Sequence, residues 1–217
     1  MSWKMDQQIV SIWTIEGRIK IPFARGPRQA ELLRTRQGES DLCLINGMFF
    51  LNATCDVEPL NSKDFTDFLG VDLGVANLAT TSDGERFTGD AVEAVRMKYH
   101  RTRRSLGKKI ARHHKRSTRR NARRALRRIG NREQRFRKHQ NHVISKQIVA
   151  RAEDTGRGIA VEELTGIRGR TRFRKGQRAK MGGWAFHQLR SFLSYKAQLH
   201  GVLLVTVDPR NTSRTCN

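Results

Sequence analysis

The sequence predicts an α/β fold, a mixed sheet with long basic helices that is preceded by a small β-barrel region. Three observations lead to this prediction: hairpin signals before residue 60, a new set of strand patterns from Phe68 onward, and a long arginine-rich stretch between those strands. The predicted order after residue 67 is β-β-β-α-β-α-β, which is typical of a meander followed by helix-linked strands. We therefore expect two domains, residues 1–66 and residues 67–217.

The first region carries two predicted hairpins. In the first, apolar strands on either side of Glu16-Gly17 are joined by a turn. In the second, Asp41–Ile45 and Met48–Cys55 flank Asn46-Gly47, a dipeptide that tolerates the positive φ angles of a type I′ turn.

The turn of the second hairpin also sets its register. Ile45 should pair with Met48, and Cys43 with Phe50, which leaves apolar side chains on both faces of the hairpin. A strand pair that is apolar on both faces is expected to be enclosed, as in a small barrel.

The second region begins with a predicted meander and continues with alternating helices and strands. The predicted elements are strands from Phe68, from Ala76 and near Arg86, basic helices over 96–152, a strand over 158–164, a helix over 184–200 and a strand over 202–207. In the last helix, the side chains expected to face the core are Trp184, Leu189, Phe192, Leu193 and Leu199.

Composition restricts the partner and the compartment. A net charge of +23 points to a polyanion, and nucleic acid is the default polyanion. No apolar run approaches the roughly 20 residues of a spanning helix, and the N-terminus lacks a secretory signal. We expect a cytoplasmic protein with reduced cysteines and no membrane partner.

Asp72 is the first candidate site residue. Alternation places Gly70, Asp72 and Gly74 on one face of an apolar strand, so two glycines would leave space above the carboxylate for a metal ion and a phosphate. An aspartate that faces solvent on an edge strand explains the pattern equally well.

Glu162 is the second candidate, because it ends the strand Ile159–Val161 and ligands collect at the carboxyl ends of strands in α/β sheets. A simple strand end or the cap of a following turn is an equally good interpretation. Together, Asp72 and Glu162 offer the oxygen ligands that Mg²⁺ prefers.

Arginine and lysine side chains over residues 96–138 and in the loop after Glu162 are the candidates for phosphate contacts, because nearly all charges there share one sign. The candidates are Arg103, Arg104, Lys108, Lys109, Arg112, Lys115, Arg116, Arg119, Arg120, Arg123, Arg124, Arg127, Arg128, Arg170, Arg172, Arg174 and Lys175. By contrast, His139 and His142 lack spaced partners for a zinc site, which favours a polar helix face.

Several motifs together resemble the TnpB (OrfB) family of transposon-encoded proteins, over about residues 67–217. They are Gly70-Val71-Asp72-Leu73-Gly74, Asn141-His142 with Ser145-Lys146-Gln147, Val161-Glu162-Glu163-Leu164, Tyr195-Lys196-Ala197, and Asp208-Pro209 with Thr212-Ser213. Residues 6–60 look like the β-barrel wedge region of that family.

The resemblance implies a RuvC-type, RNase H-like endonuclease in which a guide RNA selects DNA and Mg²⁺ drives hydrolysis. It implies that Asp72 and Glu162 bind the metal. In the family, a zinc ribbon and a third catalytic aspartate follow the segment that ends here at Asn217, so Cys216 would be a zinc ligand without its partners. We therefore expect a truncated copy that cleaves weakly or not at all and is unlike full-length relatives in holding no Zn²⁺.

Two other functions are compatible with the sequence. One is a binding module without catalysis that binds RNA or DNA and regulates transposition. The other is a basic structural RNA-binding protein, which would explain the charge but not the two carboxylates.

Overall fold

The chain consists of two compact units, Met1–Glu58 and Pro59–Asn217. The computed structural model describes residues 1–45, 47–58, 60, 65–74, 76–162 and 186–208. Along these residues, no helix combines the length and the apolar character that a membrane span requires. The boundary expected after residue 66 stays a prediction.

The described part of the first unit is mainly β structure. Its elements are β1 (Ser2–Lys4), β2 (Ile9–Thr14), β3 (Gly17–Pro22), α1 (Pro27–Leu32), a 3₁₀ turn (Leu33–Thr35), β4 (Arg36–Ile45) and β5 (Met48–Cys55). Strands β1, β2 and β3 form an antiparallel sheet in that order, and β4 pairs with β5 in a separate hairpin. These described strands do not confirm a closed barrel.

Both predicted hairpins are present, but the first turn consists of Ile15 and Glu16, one residue before the predicted Glu16-Gly17 pair. Thr14 pairs with Gly17, whose φ of +107° suits the tight turn. In the second hairpin, Ile45 pairs with Met48 and Cys43 with Phe50, as expected. The sequence reading missed helix α1, although a proline in its first turn is a typical helix start.

The expected enclosure of the second hairpin is wrong within the described part of its unit. Leu44, Met48 and Phe49 are 63%, 62% and 70% exposed. The strands hydrogen-bond only with each other in that part of the chain, and the apolar side chains nearest the turn are left exposed. Leu42, Phe49 and Leu51 also line a cavity with side chains of β2 and β3, so the hairpin is faced but not enclosed. Alternation and turn chemistry set the register of a hairpin, but they do not set what packs on it.

The second unit contains a five-stranded mixed sheet. Its elements are β6 (Phe68–Asp72), β7 (Asn77–Thr81), β8 (Arg86–Thr88), α2 (Asp90–Arg112), α3 (Arg116–Ile129), α4 (Arg132–Asp154), β9 (Gly158–Glu162), α5 (Phe186–Leu199) and β10 (Leu204–Val207). The strand order is β10-β9-β6-β7-β8. Strands β10, β9 and β6 are parallel, and β7 and β8 continue the sheet as an antiparallel meander. The predicted α/β fold with a mixed sheet is confirmed.

The core lies between one face of this sheet and the helices α4 and α5. Its members are the buried apolar residues Leu69, Val71, Leu73, Leu78, Ala79, Ile144, Ile148, Val149, Ala152, Ile159, Val161, Leu189, Leu193, Ala197 and Val202. Each fully buried leucine or isoleucine stabilises the fold by about 1.5–3 kcal/mol relative to an exposed one. Leu189 and Leu193 face inward as predicted, whereas Phe192 and Leu199 are only half-buried. Trp184 lies outside the described residues.

The predicted basic helices are confirmed, and two short interruptions divide them. Helix α2 ends where His113 and Lys115 adopt extended backbone, and α3 ends at Gly130. Helix α3 buries Ala122 and keeps Ala125 and Leu126 half-buried, so it is held through one narrow apolar side.

An ion-pair cluster joins the meander to the end of α4. Asp83, in the turn between β7 and β8, accepts hydrogen bonds from both terminal nitrogens of Arg157 at 2.9 and 2.6 Å and a longer one from Arg151 at 3.3 Å. The bidentate geometry fixes this turn against the segment that leads into β9.

Candidate active site and nucleic-acid interface

Asp72 is the last residue of β6, the middle strand of the sheet. Leu69 and Val71 are buried while Asp72 is exposed, which confirms the predicted alternation. The edge-strand interpretation of Asp72 is wrong, because β9 and β7 flank β6 on its two sides. Its carboxylate therefore projects from the centre of the sheet, on the face that α4 and α5 do not cover.

Glu162 lies beside Asp72 on the neighbouring parallel strand. Val71 is the register partner of Val161. Asp72 directly follows Val71, and Glu162 directly follows Val161, so the two acidic residues lie at the same position along the two strands. Both carboxylates thus leave the same face at the same level, on strands about 4.8 Å apart. Asp72 is exposed and Glu162 is half-buried. The sequence proposed the two carboxylates as a pair, and the parallel pairing of β6 with β9 places them on adjacent strands.

The glycines around Asp72 have a packing role that the sequence interpretation did not foresee. A Cβ atom on Gly74 would lie 2.9 Å from the backbone oxygen of Asn77, so the glycine permits a tight passage from β6 toward β7. A Cβ on Gly70 would contact the Ser82 side chain at 3.5 Å, and the Ser82 hydroxyl accepts a hydrogen bond from the Gly70 amide at 3.1 Å. The expected open space above both glycines is therefore partly filled.

The two carboxylates suit a hard divalent cation in ligand type and in placement. Asp208 follows the end of β10, whose Val207 is the register partner of Glu162. Within the described ranges, no group of three or more His, Cys, Asp or Glu side chains is arranged to hold a metal ion. Asp72 and Glu162 thus form a two-carboxylate pair at the carboxyl ends of adjacent parallel strands.

The candidate phosphate contacts form a cationic surface on α2, α3 and the turn between them. All of the candidates from Arg104 to Arg128 are exposed. On α3, Arg116, Arg120, Arg123 and Arg127 follow one another at helical spacing and lie opposite the apolar side of the helix. This arginine stripe extends for about 16 Å along the helix axis. We call these four residues the α3 stripe.

Arg103 differs from the other candidates because it is half-buried and pairs with Glu133 of α4. This ion pair ties α2 to α4 and gives Arg103 a structural partner within the chain. Arg170, Arg172, Arg174, Lys175 and Cys216 lie outside the described residues.

Sequence reasoning missed a polar and aromatic cluster between α4 and α5. Lys196 donates hydrogen bonds to the backbone oxygen of His142 at 2.6 Å and to the Ser145 hydroxyl at 2.7 Å. The residues belong to the motifs quoted above, but they are separated by about fifty positions, so only the fold places them in contact. Burial and the charges of Lys196, Lys138 and His139 lower the pKa of His142.

These features define a basic α/β protein with a carboxylate pair on the open face of its sheet and a cationic helical surface. A family model named OrfB_IS605 and described as a probable transposase matches residues 53–167, slightly more than half of the chain. The chain therefore belongs to this transposon-associated family, which is the TnpB family. A second model, described as the Cas12f1-like TNB domain, matches residues 186–217.

Curated proteins of the same group match this chain over different lengths. The CRISPR-associated endodeoxyribonuclease Cas12f1 of Sulfoacidibacillus thermotolerans is 28% identical over 180 residues, which is 78% of this chain and 41% of that protein. A TnpB-like protein of Methanocaldococcus jannaschii is 34% identical over 76 residues, which is 35% of this chain and 27% of that protein. The chain thus spans less than half the length of these relatives.

A solved structure is similar in fold. It is a cryo-EM structure of a Cas12f1–sgRNA–target DNA complex, with a TM-score of 0.51 and 19% sequence identity, and the match covers 82% of this chain and 44% of that one. At this identity, the similarity establishes the fold.

Proposed function

We propose that this chain carries the nucleic-acid-binding and RuvC-type core of an RNA-guided DNA endonuclease. The observation that carries the proposal is the level placement of Asp72 and Glu162 on adjacent parallel strands of a mixed sheet. The strand order, in which parallel strands extend an antiparallel meander, supports an RNase H-like sheet. Family membership and the endonuclease relatives support the same reaction class.

Asp72 and Glu162 are the residues that would hold Mg²⁺ in this proposal. When bound, Mg²⁺ would polarise a phosphate oxygen, activate water and stabilise charge on the leaving oxygen. The chain's own contribution is to fix both carboxylates on a rigid sheet, since the core behind Val71 and Val161 restrains the two strands.

The cationic surface on α2 and α3 would hold the phosphate backbone of RNA and DNA. Exposed arginines read charge and backbone position, while base pairing between guide and target reads sequence in RNA-guided systems. The nucleic-acid complex of the Cas12f1 neighbour is consistent with both partners.

The test begins with RNA that copurifies with the protein. The bound RNA is sequenced, and the complex is assayed for Mg²⁺-dependent cleavage of a matching DNA. Asp72→Asn and Glu162→Gln should retain the RNA and lose any cleavage, whereas Asp41→Asn, an exposed strand aspartate of the first unit, should behave like the wild type.

A direct metal measurement separates the site from the reaction. Binding of Mn²⁺, followed by electron paramagnetic resonance, should weaken in Asp72→Asn and Glu162→Gln and stay unchanged in Asp41→Asn. Absence of specific RNA would contradict guide binding, and cleavage that persists in Asp72→Asn would contradict the proposed metal site. The weak or absent cleavage expected from the family resemblance stays a prediction, and RNA binding without cleavage would support the non-catalytic binding module.

A further inference from the structure

Three aromatic rings meet where α4 contacts α5. The imidazole of His142 stacks on Phe192 with ring centroids 3.9 Å apart and an angle of 17° between the planes. Tyr195 meets Phe192 edge-on at 5.9 Å, and its hydroxyl oxygen lies 3.5 Å from Nδ1 of His142. The three rings form one continuous aromatic group, which we call the aromatic platform.

A network of partly and fully buried hydrogen bonds holds this platform in place. Lys196 bonds to His142 and Ser145, and the fully buried Ser145 hydroxyl donates to the backbone oxygen of Asn141 at 2.7 Å. The side-chain amide of Asn141 in turn donates to Gln188 of α5 at 2.9 Å. Because both helices contribute to this network, the rings are presented with little freedom to reorganise.

The platform is open to solvent on the Tyr195 side. Tyr195 is 38% exposed, which makes it the most exposed Phe, Tyr or Trp side chain among the described residues of the second unit. Because the support of this ring is already fixed, little conformational entropy of the protein is lost when another ring binds to it. Nothing in the core requires an aromatic residue at this exposed position, since its buried neighbours Leu193 and Ala197 make the core contacts.

Positive charge surrounds the platform. Lys138 and Lys146 lie one helical turn before and after His142 on α4, and both are exposed. Lys196 lies 6.0 Å from the centre of the Tyr195 ring. Burial and the nearby positive charges lower the pKa of His142, so its ring is neutral at pH 7. A nucleobase can stack on the neutral aromatic surface while the phosphates on either side of that base contact the surrounding cations.

We propose that the aromatic platform is a stacking site for an unpaired nucleobase, with Tyr195 contacting the base and Lys138 and Lys146 contacting neighbouring phosphates. The inference rests on the proposed nucleic-acid-binding function and adds a site distinct from the carboxylate pair. Helices α4 and α5 cover the sheet face that carries Val71, whereas Asp72 leaves the opposite face. The platform therefore binds a single-stranded segment away from the reacting phosphate.

The experiment compares two labelled single strands that differ only in their bases. One strand is an ordinary polypyrimidine, and the other has the same backbone with abasic residues in its central part. Affinity for the full-length chain is measured by fluorescence anisotropy, in DNA and RNA versions, so that the two sources of an unpaired base are compared directly.

Three proteins are measured with each strand. Tyr195→Leu keeps an apolar side chain of similar length but removes the aromatic face, and Tyr195→Phe keeps the ring but removes the hydroxyl. The wild type and Tyr195→Phe should bind the base-containing strand about fivefold or more tightly than the abasic strand, and Tyr195→Leu should lose that preference. Circular dichroism and thermal unfolding check that all three proteins are folded.

The outcomes separate this inference from the proposed function. Equal, salt-sensitive binding of both strands by the wild type would overturn the stacking site and leave nucleic-acid binding intact. Absence of binding to either strand would overturn the proposed function and the stacking site with it. A preference that survives in Tyr195→Leu would show that the base binds elsewhere and would also overturn the stacking site.

Discussion

At the scale of single residues, Gly74 controls how closely β6 approaches the start of β7. In Gly74→Ala, the new Cβ would meet the Asn77 oxygen at 2.9 Å, a distance that forces the backbone to move. We expect this substitution to lower the free energy of unfolding by about 1–3 kcal/mol, the usual cost of forcing atoms into a packed site. Urea denaturation measures the change.

Gly107 provides the matched control for Gly74. It lies inside α2, and a Cβ there would meet nothing within 4 Å. Gly107→Ala should therefore stabilise the protein by about 0.5–1 kcal/mol through helix propensity. Similar effects of the two substitutions would contradict the close contact at Gly74. Because Asp72 lies two positions before Gly74, Gly74→Ala should also weaken Mn²⁺ binding.

Lys196 is the residue through which the aromatic platform can be probed most directly. Its positive charge is one of the causes that lower the pKa of His142, after burial. Lys196→Met keeps most of the side-chain volume and removes the charge, so the pKa of His142 should rise. The loss of two hydrogen bonds should also lower stability by about 1–3 kcal/mol. A titration of the His142 resonances by NMR follows the first effect, and urea denaturation follows the second.

The lowered pKa of His142 also determines how the free energy of unfolding changes with pH in the range where this imidazole titrates. Above pH about 6.5 the imidazole is neutral in both the folded and the unfolded chain. As the pH falls below that value, the unfolded chain binds a proton that the folded protein resists, so stability decreases until the folded pKa is passed. Lys196→Met should reduce this decrease, and an NMR pKa of His142 that falls in Lys196→Met would contradict the electrostatic account.

At the scale of secondary-structure elements, the Asp83 ion pair joins the β7–β8 turn to the segment before β9. Hydrogen bonding from Arg157, with a smaller contribution from Arg151, lowers the pKa of Asp83. A carboxylate with a lowered folded pKa stabilises the protein above its unfolded pKa of about 3.9, and this contribution is lost as the pH falls through the folded pKa. The free energy of unfolding of Asp83→Asn should therefore decrease less than that of the wild type as the pH falls into the acid range, as urea denaturation at several pH values would show.

The two arginines allow a matched comparison at this junction. Arg157 makes two hydrogen bonds to Asp83, at 2.9 and 2.6 Å, and Arg151 makes one at 3.3 Å. Arg157→Gln should thus cause a larger loss of thermal stability at pH 7 than Arg151→Gln. Equal losses from the two substitutions would show that the bidentate contact is not what holds the turn.

The elements that sequence could predict are those that local chemistry determines. The dipeptide Asn46-Gly47 predicted a two-residue turn, and the pairing of Ile45 with Met48 has the register that such a turn requires. Alternation correctly assigned Asp72 to the face opposite Val71. The central position of β6 was not predictable in this way, since it depends on parallel pairing with β9, which follows almost ninety residues later.

Side-chain contacts between elements that are distant in the chain are the other part of the structure that the sequence did not predict. The bond between Lys196 and Ser145 joins residues 51 positions apart, and no periodicity in either helix specifies that pairing. Exposure of Phe49 likewise depends on how the other strands of its unit are placed around the hairpin, which alternation does not encode. The sequence identifies which side chains could bind ligands or take part in a reaction, and the fold determines which of them lie in contact.

At the scale of the whole molecule, charge dominates the expected behaviour. Under the proposed function, the net charge of +23 and the exposed cations of α2 and α3 would bind phosphates and release counterions. If roughly eight phosphates are neutralised, affinity for a nucleic-acid duplex should fall by about four decades between 50 and 200 mM salt. The slope of affinity against salt concentration reports the number of contacts directly.

The α3 stripe makes this last prediction specific. Replacing Arg120, Arg123 and Arg127 by glutamine removes three adjacent charges, so the salt slope should fall by about 2.7 for a duplex and about 2 for a single strand. Replacing the same three residues by lysine keeps the charges and should keep the slope, although lysine does not offer the bidentate geometry of a guanidinium group. Because α3 is attached through its apolar side, neither set of substitutions should lower its helical content. An unchanged slope in the glutamine variant would place the phosphate contacts outside the α3 stripe.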